Sequence, residues 1–162
     1  MAGTIIQSDL SVSITETISL NGVSYGNSIS KSFTGNGKVD QRIMTIASKG
    51  EEGTAFTTIL KLSTADARGQ VIVDDYSYFR ITNTDNTIAL TLELYDGSNY
   101  IYINVEAGET FLLMSPDIDR LAASGAVTFA DIQEINGQAN NTEDSIDIEY
   151  VAVTKGGVGE GE

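Results

Sequence analysis

The sequence predicts an all-β protein, an antiparallel β-sandwich of jelly-roll-like form with one short helix. Three observations support this prediction. Apolar and polar residues alternate over many short segments, which is the pattern of strands with one buried face. Turn-forming residues separate these segments at intervals of about 8–12 residues, as in sandwiches and barrels. Strands do not alternate with long helical patterns, which disfavours a parallel α/β sheet.

The N-terminal part of the chain predicts a hairpin followed by another strand. Leu10–Leu20, "LSVSITETISL", alternates apolar residues with serine and threonine, which predicts a half-buried strand. Asn21-Gly22 follows directly and is a strong signal for a two-residue hairpin turn. The serine-rich segment 23–33 is interpreted as an edge strand. "GNG" at Gly35–Gly37 is interpreted as a turn, and Val39–Ala47 as the next strand.

The middle of the chain predicts loops, three strands and a tight hairpin. The loops are "KGEEGT" and "TADARG", and the strands lie in "FTTILKLS", "QVIVDD" and "YSYFRIT". The hairpin follows, and Asp96-Gly97 within "DGSN" marks its turn. One face of this hairpin is predicted to carry its apolar residues, namely Ile88, Leu90, Leu92, Leu94, Ile101 and Ile103.

The C-terminal part predicts a short helix between strands. "AGE" at Ala107–Glu109 is interpreted as a corner, and Phe111–Met114 as a short strand. In "SPDIDRLAASG", Ser115 can cap a helix whose first position is Pro116 and which ends near Gly125. "VTFADIQEI" fits a strand or a helix, and "NGQANNTED" is interpreted as a loop. The closing strand is Ser145–Val153.

These elements predict one folded domain with two terminal extensions. An N-terminal arm covers residues 1–9, the β-sandwich domain covers residues 10–154, and a flexible acidic tail covers residues 155–162. The chain has 162 residues, enough for one domain with a sizeable core. It contains no apolar run near the ~18 residues that a membrane-spanning helix needs.

The composition excludes several kinds of chemistry. The sequence has no cysteine, histidine or tryptophan, so the usual zinc and haem sites cannot be built. Nucleophiles activated by histidine are excluded for the same reason. The formal charge is −14, and the nine basic residues are scattered singly, which disfavours nucleic acid and anionic membranes as partners. We therefore expect no catalytic residues, no cofactor and no metal.

Two groups of residues are candidate binding sites. The densest carboxylates, Asp74-Asp75 and the pair Asp117 and Asp119, could contribute to a calcium site. They lack the helix-flanked twelve-residue loop, so ordinary solvated side chains are the preferred interpretation. Aromatic residues near carboxylates could bind sugars or assist their hydrolysis, although strands favour tyrosine in any case. The aromatic residues considered are Tyr76, Tyr78, Phe79, Tyr95, Tyr100 and Tyr102.

The N-terminal arm contains the candidate interface residues. Ile5 and Ile6 form an apolar pair in a segment too short to fold alone. The pair can add a strand to the domain's own sheet, or it can reach a neighbouring subunit by strand addition. The sequence leaves both alternatives open.

Several blocks of the chain, taken together, resemble a known class of protein. The blocks are "SITETISLNG", "VDQRIMTIAS", "YFRITNTDNTIALTLEL" with "VEAGETFLL", and "DIEYVAVTKG". In this order they resemble small virion structural proteins of tailed bacteriophages, particularly phages of marine bacteria. The segment "RITNTDNT", a second strand and then "AGETF" carry most of the resemblance.

The resemblance implies a capsid decoration protein located in the virion, after assembly in the host cytoplasm. Its partners would be the major capsid protein and copies of itself, and no catalytic residue is implied. The alternatives are a tail, neck or fibre-base accessory subunit, and a non-catalytic carbohydrate-binding module for host attachment.

Overall fold

The structure is a computed structural model that describes residues 8–53, 56–63, 71–72, 76–114 and 131–155. Within these ranges the chain forms strands and no helix, so the predicted all-β fold is confirmed. The predicted helix at residues 115–125 and the terminal residues 1–7 and 156–162 lie outside the described ranges. The strands are β1 (Ser8–Thr15), β2 (Ser19–Leu20), β3 (Val23–Ser24), β4 (Ser28–Ile46), β5 (Thr57–Ser63), β6 (Val71–Ile72), β7 (Tyr76–Asn83), β8 (Leu90–Tyr95), β9 (Tyr100–Val105), β10 (Thr110–Leu113), β11 (Glu134–Ala139) and β12 (Ile146–Lys155).

Most of the strands form two five-stranded sheets. The first sheet has the order β1-β4-β12-β7-β10, and the second has the order β6-β5-β11-β8-β9. Neighbouring strands are antiparallel except for the short pair of β5 and β6. The two C-terminal strands lie inside the sheets, β12 between β4 and β7 and β11 between β5 and β8. Both sheets are therefore completed by strands that come late in the chain.

The two sheets pack face to face around a single apolar core. Each sheet contributes alternate residues to that core, as a sandwich requires. The first sheet supplies mainly Ile46, Phe79, Ile81, Ile146, Ile148 and Tyr150, and the second mainly Ile59, Leu60, Leu90, Leu92, Leu94 and Ile135. The two sheets pack together because exposure of either apolar face to water would be unfavourable in free energy.

The hairpin of β8 and β9 agrees with its prediction. Leu90, Leu92 and Leu94 are buried, and the turn lies at Asp96-Gly97. The Asp96 carboxylate accepts hydrogen bonds from the backbone N–H groups of Ser98 and Asn99, which closes the turn. Gly97 has a φ of 97°, a conformation that favours glycine.

Two turn or loop predictions were wrong. "GNG" at Gly35–Gly37 is not a turn, because β4 runs without interruption from Ser28 to Ile46. β4 pairs with β1 along its first half and with β12, on its other edge, along its second half. Both pairings are irregular near this segment, where one partner strand ends and the other begins. "NGQANNTED" is not wholly a loop either, because Asn136–Ala139 belong to β11.

Glycine is required in β11 by close packing rather than by a turn. A Cβ atom at Gly137 would lie 2.7 Å from Ile59 Cδ1 and 3.2 Å from Leu90 Cδ1. Both isoleucine and leucine belong to the core, so a larger residue would displace them. This explains why a glycine that looks like a loop signal lies in a central strand.

Asn83 ties the two sheets together at one end of the sandwich. Its side-chain Nδ2 donates to the carbonyl oxygens of Ile88 (2.9 Å), Val105 (3.2 Å) and Glu106 (3.2 Å). Its Oδ1 accepts from the backbone N–H of Asp85 at 3.1 Å. The Asn83 backbone also donates to Glu109 O (2.9 Å) and accepts from Gly108 N–H (3.1 Å), so the segments "RITNTDNT" and "AGETF" meet in one hydrogen-bonded corner.

Asp85 organises the loop between β7 and β8. Its carboxylate accepts hydrogen bonds from the backbone N–H groups of Thr87 (2.7 Å) and Ile88 (2.8 Å). These bonds, that from Ile88 first, lower the pKa of Asp85. The loop is thus held by local hydrogen bonds to a carboxylate that stays ionised.

We predict that Tyr150 makes the fold sensitive to alkaline pH. Burial, followed by a hydrogen bond from its hydroxyl to Asp40 Oδ2 (2.9 Å), raises the pKa of Tyr150 to about 12. An unfolded tyrosine ionises near pH 10. Because the folded-state pKa is the higher one, stability is unaffected below pH ~10 and falls as the pH rises from ~10 through ~12. Urea unfolding followed by circular dichroism at pH 9, 10 and 11 measures this loss.

The matched variants for this prediction are Tyr150→Phe and Tyr25→Phe. Tyr150→Phe should lose less stability between pH 9 and 11 than the unmodified chain does. Tyr25 is exposed, so Tyr25→Phe should follow the unmodified chain. Equal pH slopes for Tyr150→Phe and the unmodified chain would contradict the prediction.

Candidate interaction surfaces

The N-terminal strands form a long two-stranded hairpin, here called the ribbon, which comprises residues 8–33. β1 pairs with the first half of β4, and β2 pairs with β3 beyond them. Backbone bonds from Glu16 to Asn27 (2.7 Å) and from Tyr25 to Ile18 (2.8 Å) join the two pairings in one register. The predicted turn at Asn21-Gly22 is confirmed, since both residues have positive φ values of 52° and 79°.

The ribbon has one apolar face and one hydroxyl face. Residues opposite each other in antiparallel strands point to the same side, so the register assigns each side chain to a face. The apolar face carries Leu10, Val12, Ile14, Ile18, Leu20, Val23, Tyr25, Ile29 and Phe33. The other face carries serine and threonine, with hydroxyl contacts between Ser13 and Ser30 (2.9 Å) and between Thr15 and Ser28 (3.2 Å).

No described residue covers most of the apolar face of the ribbon. Six of its apolar side chains are between 42% and 64% exposed, namely Ile14, Ile18, Leu20, Val23, Tyr25 and Ile29. The prediction of a strand at residues 10–20 was correct for β1 and β2, but the prediction that it is half-buried was wrong for Ile14, Ile18 and Leu20. Alternation shows that a strand has two faces, but it does not show whether another element covers one of them.

A ribbon of this kind is expected to have little stability in an isolated chain. A two-stranded hairpin is marginally stable in water, because it has too little apolar area to offset the ordering of its backbone. The largest contiguous apolar patch exposed on a soluble protein is often a functional surface. The ribbon is therefore the strongest candidate functional surface in the described part of the chain.

The base of the ribbon is fixed to the outward face of the first sheet. The Phe33 ring lies 6.0 Å from the Tyr78 ring, and the Lys31 ammonium lies 4.9 Å from the Phe33 ring. Tyr78 and its strand partner Val153 are buried but do not belong to the main core between the sheets. The apolar face of the ribbon thus continues onto the outward face of the first sheet.

Gly26 is needed where the ribbon strands approach each other closely, and we predict that Gly26→Ala opens the tip. A Cβ atom at this position would lie 2.2 Å from the Glu16 carbonyl oxygen, which is backbone and cannot move independently. Overpacking of this kind costs about 1–3 kcal/mol. The backbone N–H groups of Glu16 and Tyr25 should exchange with solvent at least tenfold faster by NMR, while those of β7 keep their rates.

The neighbouring substitution Ser28→Ala is the control for this prediction. It removes only the 3.2 Å contact with Thr15 and adds no atom against the backbone. Its exchange rates at Glu16 and Tyr25 should stay within about twofold of the unmodified chain. Unchanged exchange in Gly26→Ala would show that the close approach has no energetic consequence.

The second sheet carries a row of aromatic rings on its outward face, here called the tyrosine row, comprising Tyr95, Tyr100 and Tyr102. Tyr95 and Tyr100 are stacked with ring centroids 4.7 Å apart, and Tyr100 and Tyr102 are stacked at 6.2 Å. The Phe56 ring lies 6.0 Å from Tyr102 at the end of the row. Tyr100 and Tyr102 are more than half exposed. The rings lie against one another, and the Tyr95 hydroxyl donates to the Gly97 carbonyl oxygen at 2.6 Å, which fixes this end of the row within the hairpin.

Polar side chains are buried beside the tyrosine row. Asn136 Nδ2 donates to Glu93 Oε1 at 3.0 Å, and Gln138 Nε2 donates to the Gly53 carbonyl at 3.2 Å. The loop that contains Gly53 therefore lies over this face and shields the polar groups. Burial, followed by a hydrogen bond to Glu93, raises the pKa of Tyr102. Asn136 Oδ1 is buried without a hydrogen-bond partner among the described residues.

The other predicted binding residues are distributed as follows. Ile5 and Ile6, Asp74-Asp75, and Asp117 with Asp119 lie outside the described ranges. Tyr76, Tyr78 and Phe79 are buried, whereas the tyrosines of the β8–β9 hairpin come together as the tyrosine row. In the part of the chain that the structure describes, no three carboxylates are grouped closely enough to hold a metal ion. A helix long and apolar enough to cross a membrane is not found in that part either.

Comparisons with other proteins do not assign the chain to a class. No family model matches the sequence, and neither the curated proteins nor the solved structures include a significant match. The geometry of the two surfaces is therefore the basis for a functional proposal.

Proposed function

We propose that the chain is a virion structural protein of a tailed bacteriophage, a capsid decoration subunit that binds and stabilises the head shell. The observation that carries the proposal is the ribbon, whose exposed apolar face suits a subunit that joins an assembly. The sequence resemblance provides the phage setting. The proposed partners are the major capsid protein and further copies of the chain.

The mechanism is adhesion rather than catalysis. A subunit that bridges neighbouring capsid proteins adds interface free energy, which opposes the outward pressure of packaged DNA. The formal charge of −14 suits the outer surface of a head, since an acidic protein on the inner surface would be repelled by DNA phosphates. A strong net charge also keeps free subunits apart until they bind.

Binding to empty, expanded capsids tests this proposal. Purified protein should bind at a fixed ratio to the major capsid protein and should raise the temperature at which the shells break. The double variant Ile14→Ser/Ile29→Ser should lower occupancy, because it removes apolar area from the ribbon. The variant Tyr100→Ala/Tyr102→Ala, on the other sheet, should bind like the unmodified chain.

If the protein lies elsewhere in the virion, the same binding experiment gives a different result. A protein that leaves capsids bare but binds isolated tails would be a tail, neck or fibre-base accessory subunit. A protein that binds neither heads nor tails would overturn the virion proposal.

The tyrosine row supports a second candidate function, carbohydrate binding without catalysis. Sugar sites combine aromatic rings with a few fixed polar groups, and the row lies beside Glu93 and Asn136. The mutual stacking of the rings counts against this function, because a sugar ring would need a free aromatic face.

A glycan array separates the second candidate from the first. Saturable binding that is lost in both Tyr100→Ala and Tyr102→Ala would favour an attachment module. Ile14→Ser/Ile29→Ser should leave such binding unchanged, since those residues lie on the ribbon. Absence of saturable binding to any glycan would remove this candidate.

A further inference from the structure

The ribbon and the body of the molecule present two apolar surfaces on the same side. One surface is the apolar face of the ribbon. The other, here called the outward patch, comprises Val39 and Ile43 in the second half of β4, which are 58% and 76% exposed. Phe33 against Tyr78 connects the two surfaces. One long strand, β4, therefore carries both of them, one at each end.

We propose that two copies of the chain exchange ribbons, so that the ribbon of each copy lies on the outward patch of the other. The inference deepens the proposed function, on which its biological setting rests, by assigning the ribbon to contact between copies. The two copies are related by a two-fold axis, and their β4 strands run antiparallel, face to face. Both copies use the same two surfaces in the contact, the ribbon and the outward patch. The assembly therefore closes as a dimer and does not continue into a chain.

The spacing of residues along β4 fits this arrangement. A two-fold axis near residue 36 places Ile29 of one copy opposite Ile43 of the other, since each lies seven positions from that residue. The same axis places Phe33 opposite Val39. Apolar residues thus meet apolar residues at both positions.

The area of the contact favours reciprocal exchange over simple packing of two ribbons. A strand rises about 3.3 Å per residue and strands lie about 4.8 Å apart, so the apolar face covers roughly 350 Å². Two ribbons packed only on each other would bury about 700 Å², less than a stable interface requires. The axis sets residues 28–33 of each ribbon opposite residues 39–44 of the other copy. Reciprocal exchange thus contains two ribbon–body contacts and buries at most about 1,400 Å², an area that reaches the size of a stable interface.

The distribution of charge also favours a second copy. The ribbon contains two carboxylates, Asp9 and Glu16, and one lysine, Lys31, so it carries −1 of the formal −14. The second half of β4, on which it would lie, contains Lys38, Asp40 and Arg42 and carries +1, so little repulsion opposes this contact. In the proposed arrangement Lys31 lies near Gln41 of the second copy. Gln41 Nε2 is 3.5 Å from Glu149 Oε1, and that carboxylate is already paired with Arg80.

Molar mass measurement tests the dimer. Light scattering of the purified full chain should give twice the chain mass of 17.3 kDa. Ile14→Ser/Ile29→Ser should raise the dimer dissociation constant at least about 100-fold, because the area of both isoleucines is buried only in the dimer. The control Ser13→Ala/Ser30→Ala alters the hydroxyl face and should stay dimeric. A monomeric unmodified chain, or a ribbon variant that dimerises normally, would overturn the proposal.

Chemical cross-linking tests the arrangement, and the absence of cysteine from the chain removes any background. Coexpressed Ile29→Cys and Ile43→Cys chains should be joined by a bis-maleimide of about 10 Å, the spacing of packed sheets. Efficient joining of Ile29→Cys chains to one another would instead show ribbon against ribbon and overturn the exchange.

The two proposals fail in different experiments. A dimer that leaves capsids and tails bare would remove the virion function and keep the exchange. If the chain is a monomer that binds capsids through its ribbon, the ribbon contacts the shell. The virion function would then be kept, and the exchange of ribbons would be removed.

Discussion

Replacement of Phe79 by alanine is expected to lower the free energy of unfolding by about 3–5 kcal/mol, the range for large aromatic residues in cores. Phe79 is 0% exposed and lies in β7, an inner strand of the first sheet. Its ring is 6.0 Å from the Tyr150 ring, and its strand neighbours are Ala152 and Leu113. None of these fixed neighbours can fill the space that the ring would leave, so a cavity remains.

The measurement is urea unfolding followed by far-ultraviolet circular dichroism at pH 7. A loss of this size is a large part of the 5–15 kcal/mol that typical domains have. Tyr100→Ala removes an aromatic ring of similar size from the surface, where it is 53% exposed, and should cost about 1 kcal/mol. Equal losses in the two variants would mean that the space between the sheets is not closely packed.

The sequence predicts those elements whose pattern is complete within a few residues. The hairpin of β8 and β9 combines strict alternation with the Asp96-Gly97 turn, so local rules alone determine its register. The turn at Asn21-Gly22 is predicted for the same reason. These signals do not depend on what packs against the hairpin.

The errors occur where contacts between distant segments decide the outcome. Gly137 lies in a strand because Ile59 and Leu90, far away in sequence, occupy the space where a side chain would be. Gly35 lies within β4 because the strand changes partners there. At Gly137 tertiary contacts override the usual turn preference of glycine, whereas Gly35 uses its positive φ of 69° for an irregularity inside the strand.

The candidate surfaces were only partly predictable. Alternation in residues 10–20 predicts an apolar face, but its exposure depends on where the ribbon leaves the sandwich. Tyr95, Tyr100 and Tyr102 belong to one predicted hairpin, whereas Asn136 joins them only through the pairing of β11 with β8. Sequence reasoning placed the interface at Ile5 and Ile6, and no local signal distinguished the exposed residue Ile14 from a buried one.

Asn83→Asp is expected to lower the free energy of unfolding by about 3–5 kcal/mol at pH 7, the range for a buried charge without a partner. The substitution keeps the shape of a residue that is 0% exposed but exchanges the Nδ2 donor for an oxygen. That oxygen would face the carbonyls of Ile88, Val105 and Glu106, all of which accept hydrogen bonds from Asn83. Two sheets are joined at this point, so the damage is not confined to one loop.

The pH dependence identifies the cause of the loss. The introduced carboxyl is buried among acceptors, so its folded-state pKa should rise above the unfolded value of about 3.9. With a raised folded-state pKa, the penalty is absent below pH ~3.9 and grows as the pH rises above it. The difference in unfolding free energy between Asn83→Asp and the unmodified chain should therefore shrink between pH 7 and pH 4. The carboxylate of Asp85, whose backbone N–H bonds to residue 83, would repel the introduced carboxylate and shift its pKa in the same upward direction.

Asn83→Ala is the matched control. It also removes the Nδ2 donor from the three carbonyls, of which that of Glu106 keeps its bond from the Glu109 backbone N–H (3.0 Å). The cost is about 1–3 kcal/mol for each carbonyl left without any donor. It adds no titratable group, so its difference from the unmodified chain should be the same at pH 7 and pH 4. If both variants show equal losses at every pH, the introduced carboxyl is solvated, and the corner is open to water rather than closed between the sheets.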